Sequence, residues 1–266
     1  MLKTTGDKKN VVQGAAAFSK GISILQLIAD AEERPSISQL VAASGLPRPT
    51  LYRLLKALAS EGLVNARSDK TFAVGTRLIH LAGRAIEQND LVRVAEPEIE
   101  RLCETTQETV HLAIRSGDGL VHIIQRDSPK AVRIASSLGS KVAVHASAIG
   151  KCILAFLPQD EQVKLVEALE MKRLTKYTKT DPAQLLQELG SIRRERYAVS
   201  HQESYLEIEC YGSVIHDHTG LPVAGVGVSV PLYRLGPNKQ QYIKPLIACC
   251  NRISRQLGGE IELVGA

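Results

Sequence analysis

Two thiols and two imidazoles hold the groups from which a nucleophile and a base could be assembled: Cys152, Cys210, His145 and His201. A cysteine attacks as the thiolate, which needs a base or a positive charge beside it. Spacing along the chain brings none of the four together, and lone cysteines commonly serve as small buried hydrophobes. No catalytic residue is therefore expected; an enzyme using Cys210 or Cys152 as nucleophile is the alternative. His216 and His218 fall on one side of an extended segment and could share a metal, yet IHDHTG suits a hairpin turn rich in Asp, Thr and Gly. Cys249 and Cys250 would diverge by about 100° on a helix, a poor start for a shared ion. Neither a metal nor a cofactor is expected.

Two other stretches suit anions. In ASAIGK the first turn of a helix would offer free N–H groups, with Lys151 nearby, to a carboxylate; an ordinary cap before an apolar helix explains the same letters. In GLPRPTLYRLL two prolines flank Arg48 where a helix begins. First-turn N–H groups have no intrahelical partner, so Pro47 and Pro49 cost little there and stiffen the turn. With Leu51, Leu54, Leu55 and Leu58 turned inward, the other face carries Arg48, Pro49, Thr50, Tyr52, Arg53 and Lys56. Arginine pairs with guanine acceptors, threonine meets a thymine methyl or a phosphate, and tyrosine and lysine commonly contact phosphates. Arg48 and Thr50 are the expected base readers. Arg67 and Lys70 would tip a following hairpin beside the DNA backbone or minor groove, Lys20 and Arg34 add peripheral charge, and Ser44, at the turn before the helix, is a further expected DNA contact.

Those side chains need elements to hold them. AAAFSKGISILQLIADA has Phe18, Ile22, Leu25 and Ile28/Ala29 at helical spacing, which predicts one buried face. SISQLVAASG begins with Ser36 or Ser38 as N-cap and stops at Gly45, and TLYRLLKALASEG stops at Gly62. LVNARSDKTFAVG reads as a small hairpin. Helix, helix, turn, helix, hairpin is the order of a winged helix-turn-helix, whose second helix fits a major groove about 12 Å wide. Residues 76–92 would form a connecting helix. Beyond Pro97 the pattern becomes PEIERLCETT as helix, two strands around SGDG, one or two strands in AVRIASSLGSKVAV, helices over ASAIGKCILAFL to QVKLVEAL and over DPAQLLQELGSIRRER, a hairpin turning at DHTG, and a last helix over KQQYIKPLIACCNRISRQLG. This is an α+β domain with a largely antiparallel sheet. The expected organisation is a flexible 1–11, a DNA-binding unit 12–75, the linker helix 76–92 and a domain over 93–266.

Residues 1–90 carry 12 Lys/Arg against 8 Asp/Glu, leaving 21 against 20 for the remainder, so the basic excess lies mostly in the first third. That is compatible with a surface facing phosphates. The absence of Trp and the presence of only 3 Phe make the core aliphatic. Five scattered cysteines without a secretory signal suit reduced thiols in the cytoplasm, and no apolar run approaches the roughly 20 residues of a membrane helix.

From about residue 12 to residue 258 the chain resembles the IclR family of transcriptional regulators. The resemblance rests on VQGAAAFSKGISILQLI, ISQLVAASGLPRPTLYRLLKALASEGLV, ETVHLAIRSGDGLVHI, VAVHASAIGKCILAFL, RYAVSHQES and GLPVAGVGVSV in that order. It implies a winged helix-turn-helix, a linker helix and a C-terminal GAF-like domain that binds a small organic effector, in homodimers or homotetramers that bind double-stranded operator DNA of catabolic operons. It also implies a ligand pocket lined by Ser147, Ala148, Ile149, Ser200, Cys210, Gly227 and Ser229. Ser200 stands where members that bind small oxoacids have Asp, and Ala148 where they have Gly, which points to a ligand other than glyoxylate or pyruvate.

Overall fold

The chain divides between Gln88 and Asn89 into two units, each with its own apolar core. The computed structural model describes residues 15–87, 90–116, 119–131 and 138–259. The expected flexible stretch 1–11, the middle of the SGDG turn and residues 132–137 lie outside the described residues.

The first unit runs α1 (Ala16–Ala29), α2 (Ile37–Ser44), α3 (Arg48–Ser60), β1 (Val64–Ala66), β2 (Phe72–Val74) and α4 (Thr76–Glu87). Ser36 settles the start of α2: its Oγ accepts from the Gln39 N–H, and its own N–H donates to Gln39 Oε1 at 2.8 Å. Such a reciprocal cap contributes about 1 kcal/mol. Gly45, at φ 65°, ends the helix in the left-handed conformation that glycine adopts without strain. Pro47 is the N-cap of α3 and Pro49 sits in its first turn, as the spacing predicts. Leu51, Leu55 and Leu58 are buried against Ile24, Ile28, Leu40 and Val64, each full side-chain burial being worth about 1.5–3 kcal/mol. β1 and β2 pair antiparallel with Val64 opposite Val74, and Phe72 N–H donates to Pro35 O at 3.0 Å, tying the wing back to the residues before α2.

The buried face of α1 differs from the one expected. Phe18 is 72% and Ile22 43% exposed, while Gly21, Ile24 and Ile28 are buried. Gly21 takes a place on the buried face, where a Cβ would lie in ordinary contact 4.0 Å from Leu58 Cδ2 of α3. Counting apolar side chains passes over a glycine and selects the neighbouring stripe.

The second unit is a six-stranded antiparallel sheet in the order β5-β4-β3-β8-β7-β6. The strands are β3 (Thr109–Ser116), β4 (Gly119–Arg126), β5 (Lys141–Val142), β6 (Ala198–His201), β7 (Ile208–His216) and β8 (Pro222–Pro231). The helices are α5 (Asp90–Thr106), α6 (Ala148–Phe156), α7 (Gln159–Ala168), α8 (Pro182–Glu195) and α9 (Gln240–Gln256). In β8 the alternation of a pleated strand sorts the two sides. Ala224, Val226, Val228 and Val230 join the core shared with α5 and α9, while Gly225 and Gly227 face Ile149 of α6.

Two boundaries depart from the sequence reading. Residues 90–92, assigned above to the connecting helix, form the first turn of α5, and α5 runs on through Pro97 rather than starting there. Proline removes one helical hydrogen bond, but Val92, Ala95, Ile99, Leu102 and Cys103 all bury on one face. Glu98 on the same helix pairs with Arg252 of α9 at 2.6 Å. Strand β6 was not separately expected. Among the described residues, no helix is long and apolar enough to cross a membrane.

Candidate functional site

The first candidate surface is the outer face of α3. Arg48, Pro49, Arg53 and Lys56 are exposed, Tyr52 is 64% exposed, and Thr50 is half-buried. Residues 48, 52 and 56 follow one another at i, i+4 spacing, with 49 and 53 alongside, so they form one stripe. No side chain caps the start of the helix. Its first-turn N–H groups, with the partial positive charge of the helix N-terminus, are therefore presented beside Arg48. The wing turn carries Arg67 and Lys70, both exposed, and is closed by Arg67 N–H donating to Thr71 O at 2.9 Å and by Thr71 N–H donating to Asp69 Oδ1 at 3.0 Å. Lys70 adopts φ 65° at its tip. Lys20 is exposed on α1. Ser44 is half-buried at the turn before α3, where its Oγ accepts from the Leu46 N–H at 3.3 Å.

The second is a cavity of about 300 Å³ between the sheet and the start of α6. Its apolar wall includes Val142, Ala143, Ala148, Ile149, Leu174 and Ile208. Its polar groups are His111, His122, Ser140, Lys141, Ser147, Ser204, Tyr205, Cys210 and Ser229. Of the seven residues the sequence assigned to a pocket, Ser147, Ala148, Ile149, Cys210, Gly227 and Ser229 line it. Glycines in the sheet let the start of α6 lie directly on it, beside the cavity. A Cβ on Gly212 would sit 2.4 Å from the Ala148 backbone carbon, and one on Gly227 would sit 2.9 Å from Ile149. Ser147 caps α6, its Oγ accepting from Gly150 N–H at 3.0 Å.

One expectation is corrected, and two readings left open by the sequence are answered. Ser200 does not line the cavity: it is buried, and its hydroxyl donates to Ala146 O at 2.6 Å, bracing the loop behind the wall. Lys151 does not reach toward a ligand at the helix start. Its ammonium is fully buried and donates to Glu188 Oε1 at 2.8 Å, Glu203 Oε1 at 2.7 Å and Val199 O at 2.7 Å. Nor do the cysteines and histidines assemble a nucleophile. Cys152 donates to Gly212 O at 3.0 Å, His145 meets Lys172 O and His201 meets Glu209. Burial drives the Cys152 thiol up and holds Cys210, 3.2 Å from Ser229 Oγ, at about 11, the opposite of an activated thiol. His216 lies edge-on to Phe156, and among the described residues no cluster of His, Cys, Asp and Glu could hold a metal.

The sequence reading missed His111 and His122. Their rings lie 4.9 Å apart, tilted by 45°, and both line the cavity. Burial pushes His111 down to about 3, with His122 adding to the effect, and burial also lowers His122. Ala113 pairs with His122 across β3 and β4, which makes His111 a diagonal neighbour of His122 on the same face. The signal lay in the hairpin register, which a β-bulge at Leu112/Ala113 shifts by one residue.

Comparison with known proteins ties the two sites together. A family model described as the bacterial transcriptional regulator IclR C-terminal region matches residues 83–255, and one described as the IclR helix-turn-helix domain matches residues 17–68. The HTH-type transcriptional repressor AllR of Salmonella typhimurium is 34% identical over 224 residues, covering 84% of this chain and 82% of its own. The crystal structure of the Thermotoga maritima IclR is 31% identical, with a TM-score of 0.69 over 91% of this chain and 98% of that one. An IclR homologue of Microbacterium hydrocarbonoxydans, solved in complex with 4-hydroxybenzoate, shares the fold at 20% identity, with a TM-score of 0.75 over 91% of this chain and 99% of that one.

Proposed function

We propose, from the premise that this chain belongs to the IclR family of bacterial transcriptional regulators, that it binds operator DNA sequence-specifically through α3 and releases or rearranges on that DNA when a small organic carboxylate fills the cavity of the second unit. The relatives are regulators, not enzymes. The observation that carries the reading is the start of α3: two prolines stiffen a first turn whose N–H groups no side chain caps, with Arg48 exposed at its edge. A helix presented this way suits a major groove, Arg48 and Thr50 meeting bases while Tyr52, Arg53 and Lys56 meet phosphates. Arg67, Lys70 and Lys20 would add backbone contacts. Ser44 would act by shaping the turn.

Apolar residues left exposed in the first unit support a homo-oligomer. Besides Phe18 and Ile22, Ile79 is 73% and Leu81 49% exposed on α4, and a two-fold pair of α3 helices would match a pseudo-palindromic operator. The homologue's complex with 4-hydroxybenzoate supports an organic acid as ligand, and a catabolic operon encoding its breakdown is the proposed target. Such a regulator works in the cytoplasm. Binding of the purified protein to the intergenic DNA upstream of its own gene tests this. The affinity should fall steeply with salt and exceed that for shuffled DNA; equal affinity for both sequences would refute it.

A further inference from the structure

Two buried side-chain polar atoms among the described residues have no hydrogen-bond partner: Oε2 of Glu203, in the Lys151 cluster, and Nδ1 of His122, in the cavity. A buried ring nitrogen without a partner is costly, and a ligand atom that meets it relieves the cost. His111 stands beside it on β3. The titratable and charged groups around the pair come from every neighbouring element. They are Lys141 on β5, Cys210 on β7, Tyr205 after β6, and Asp127 just past the end of β4. Ser147 at α6 and Ser229 on β8 add hydroxyls. Tyr211 contributes no acid, because its ring stacks on Tyr242 and its hydroxyl donates to Glu209.

We infer that His122, with His111 beside it, is the anion-binding group of the cavity, and that a carboxylate ligand binds together with a proton, which one imidazole takes up from solvent to meet it. This rests on the reading of the cavity as an effector site. Both imidazoles are neutral in the free protein, since burial disfavours their charged form and each would repel a charged neighbour. An anion within hydrogen-bonding distance reverses that balance and favours imidazolium. The free protein then binds no proton where the complex binds one. Ligand affinity therefore falls as pH rises, from the low value of the free imidazole up through the raised value of the complex. A neutral ligand that merely donates a hydroxyl to His122 would take up no proton.

The test uses the full-length protein with benzoate and pyruvate as probes and benzamide as the uncharged counterpart. Calorimetry in buffers of different ionisation enthalpy counts protons, and imidazole ¹⁵N resonances identify the ring. The expected result is uptake of about one proton, affinity falling about tenfold per pH unit between about pH 6 and about pH 8, and a flat profile in His122→Gln or His111→Gln, whichever removes the ring that the ¹⁵N resonances show protonated. Ala143→Trp, which fills the cavity, should abolish binding. Binding that is independent of pH, or equal binding of benzamide, together with its loss in Ala143→Trp, would overturn the histidine assignment alone. Binding that survives Ala143→Trp, or binding of neither anion, would overturn the cavity reading with it.

Discussion

The ammonium of Lys151 lies 2.7 Å from Oε1 of Glu203, with the lysine completely buried and the carboxylate nearly so. Helix α6, helix α8 through Glu188, and the loop that carries Ser204 and Tyr205 over the cavity are thereby fastened at one charge. The two carboxylates differ. Burial pushes Glu203 up despite Lys151, whereas Glu188, half-buried and shared between Lys151 and Lys179, is held below its usual range.

Lys151→Met should therefore destabilise the protein by about 3–5 kcal/mol, because it leaves a buried carboxylate without a counter-charge. Urea denaturation measures this. Adding Glu203→Gln to the same chain should recover part of the loss, since the uncompensated charge is then gone. A loss below about 1 kcal/mol, the scale of a surface pair, would mean that the cluster does not hold the loop.

Gly212 and Gly227 let α6 lie close on the sheet, and they should respond differently to alanine. At Gly212 the added carbon meets backbone of Ala148 at 2.4 Å, which cannot turn aside, while at Gly227 it meets the side chain of Ile149 at 2.9 Å. Gly212→Ala is expected to cost about 3 kcal/mol or more and Gly227→Ala about 1 kcal/mol. Thermal melts should order them so; equal melting temperatures would contradict the packing described.

The buried His111 gives the free protein a defined acid sensitivity. Its folded value, about 3, lies below the ordinary imidazole value of about 6.5, so between these the unfolded chain binds the extra proton and stability rises with pH. Below about pH 6 wild-type protein should lose about 1.4 kcal/mol per pH unit more than His111→Asn does. Parallel stability profiles from chemical denaturation would show that the ring is not held neutral.

Much of the first unit was legible because its punctuation is local. Ser36, Gly45, Pro47 and Gly62 mark ends by their own backbone chemistry, and the leucines of α3 repeat at helical spacing. The phase of α1 was not legible, since a glycine on the buried face carries no apolar signal. In the second unit most pocket residues were visible through family resemblance. The destination of Lys151 and of Ser200 was not, because both are decided by partners far along the chain, Glu203 and Ala146. His111 and His122 escaped for the same reason: their meeting depends on strand register and a bulge.

The central claim is that α3 reads operator sequence, and one comparison tests it most directly. It is the affinity of wild type and Arg48→Ala for the upstream intergenic fragment and for a shuffled fragment, at one fixed salt concentration. If Arg48 reads a base, the variant should lose about 1–3 kcal/mol of discrimination between the fragments while keeping its affinity for shuffled DNA. Discrimination left unchanged in Arg48→Ala, and again in a variant that also carries Thr50→Ala, would show that the start of α3 does not read the operator.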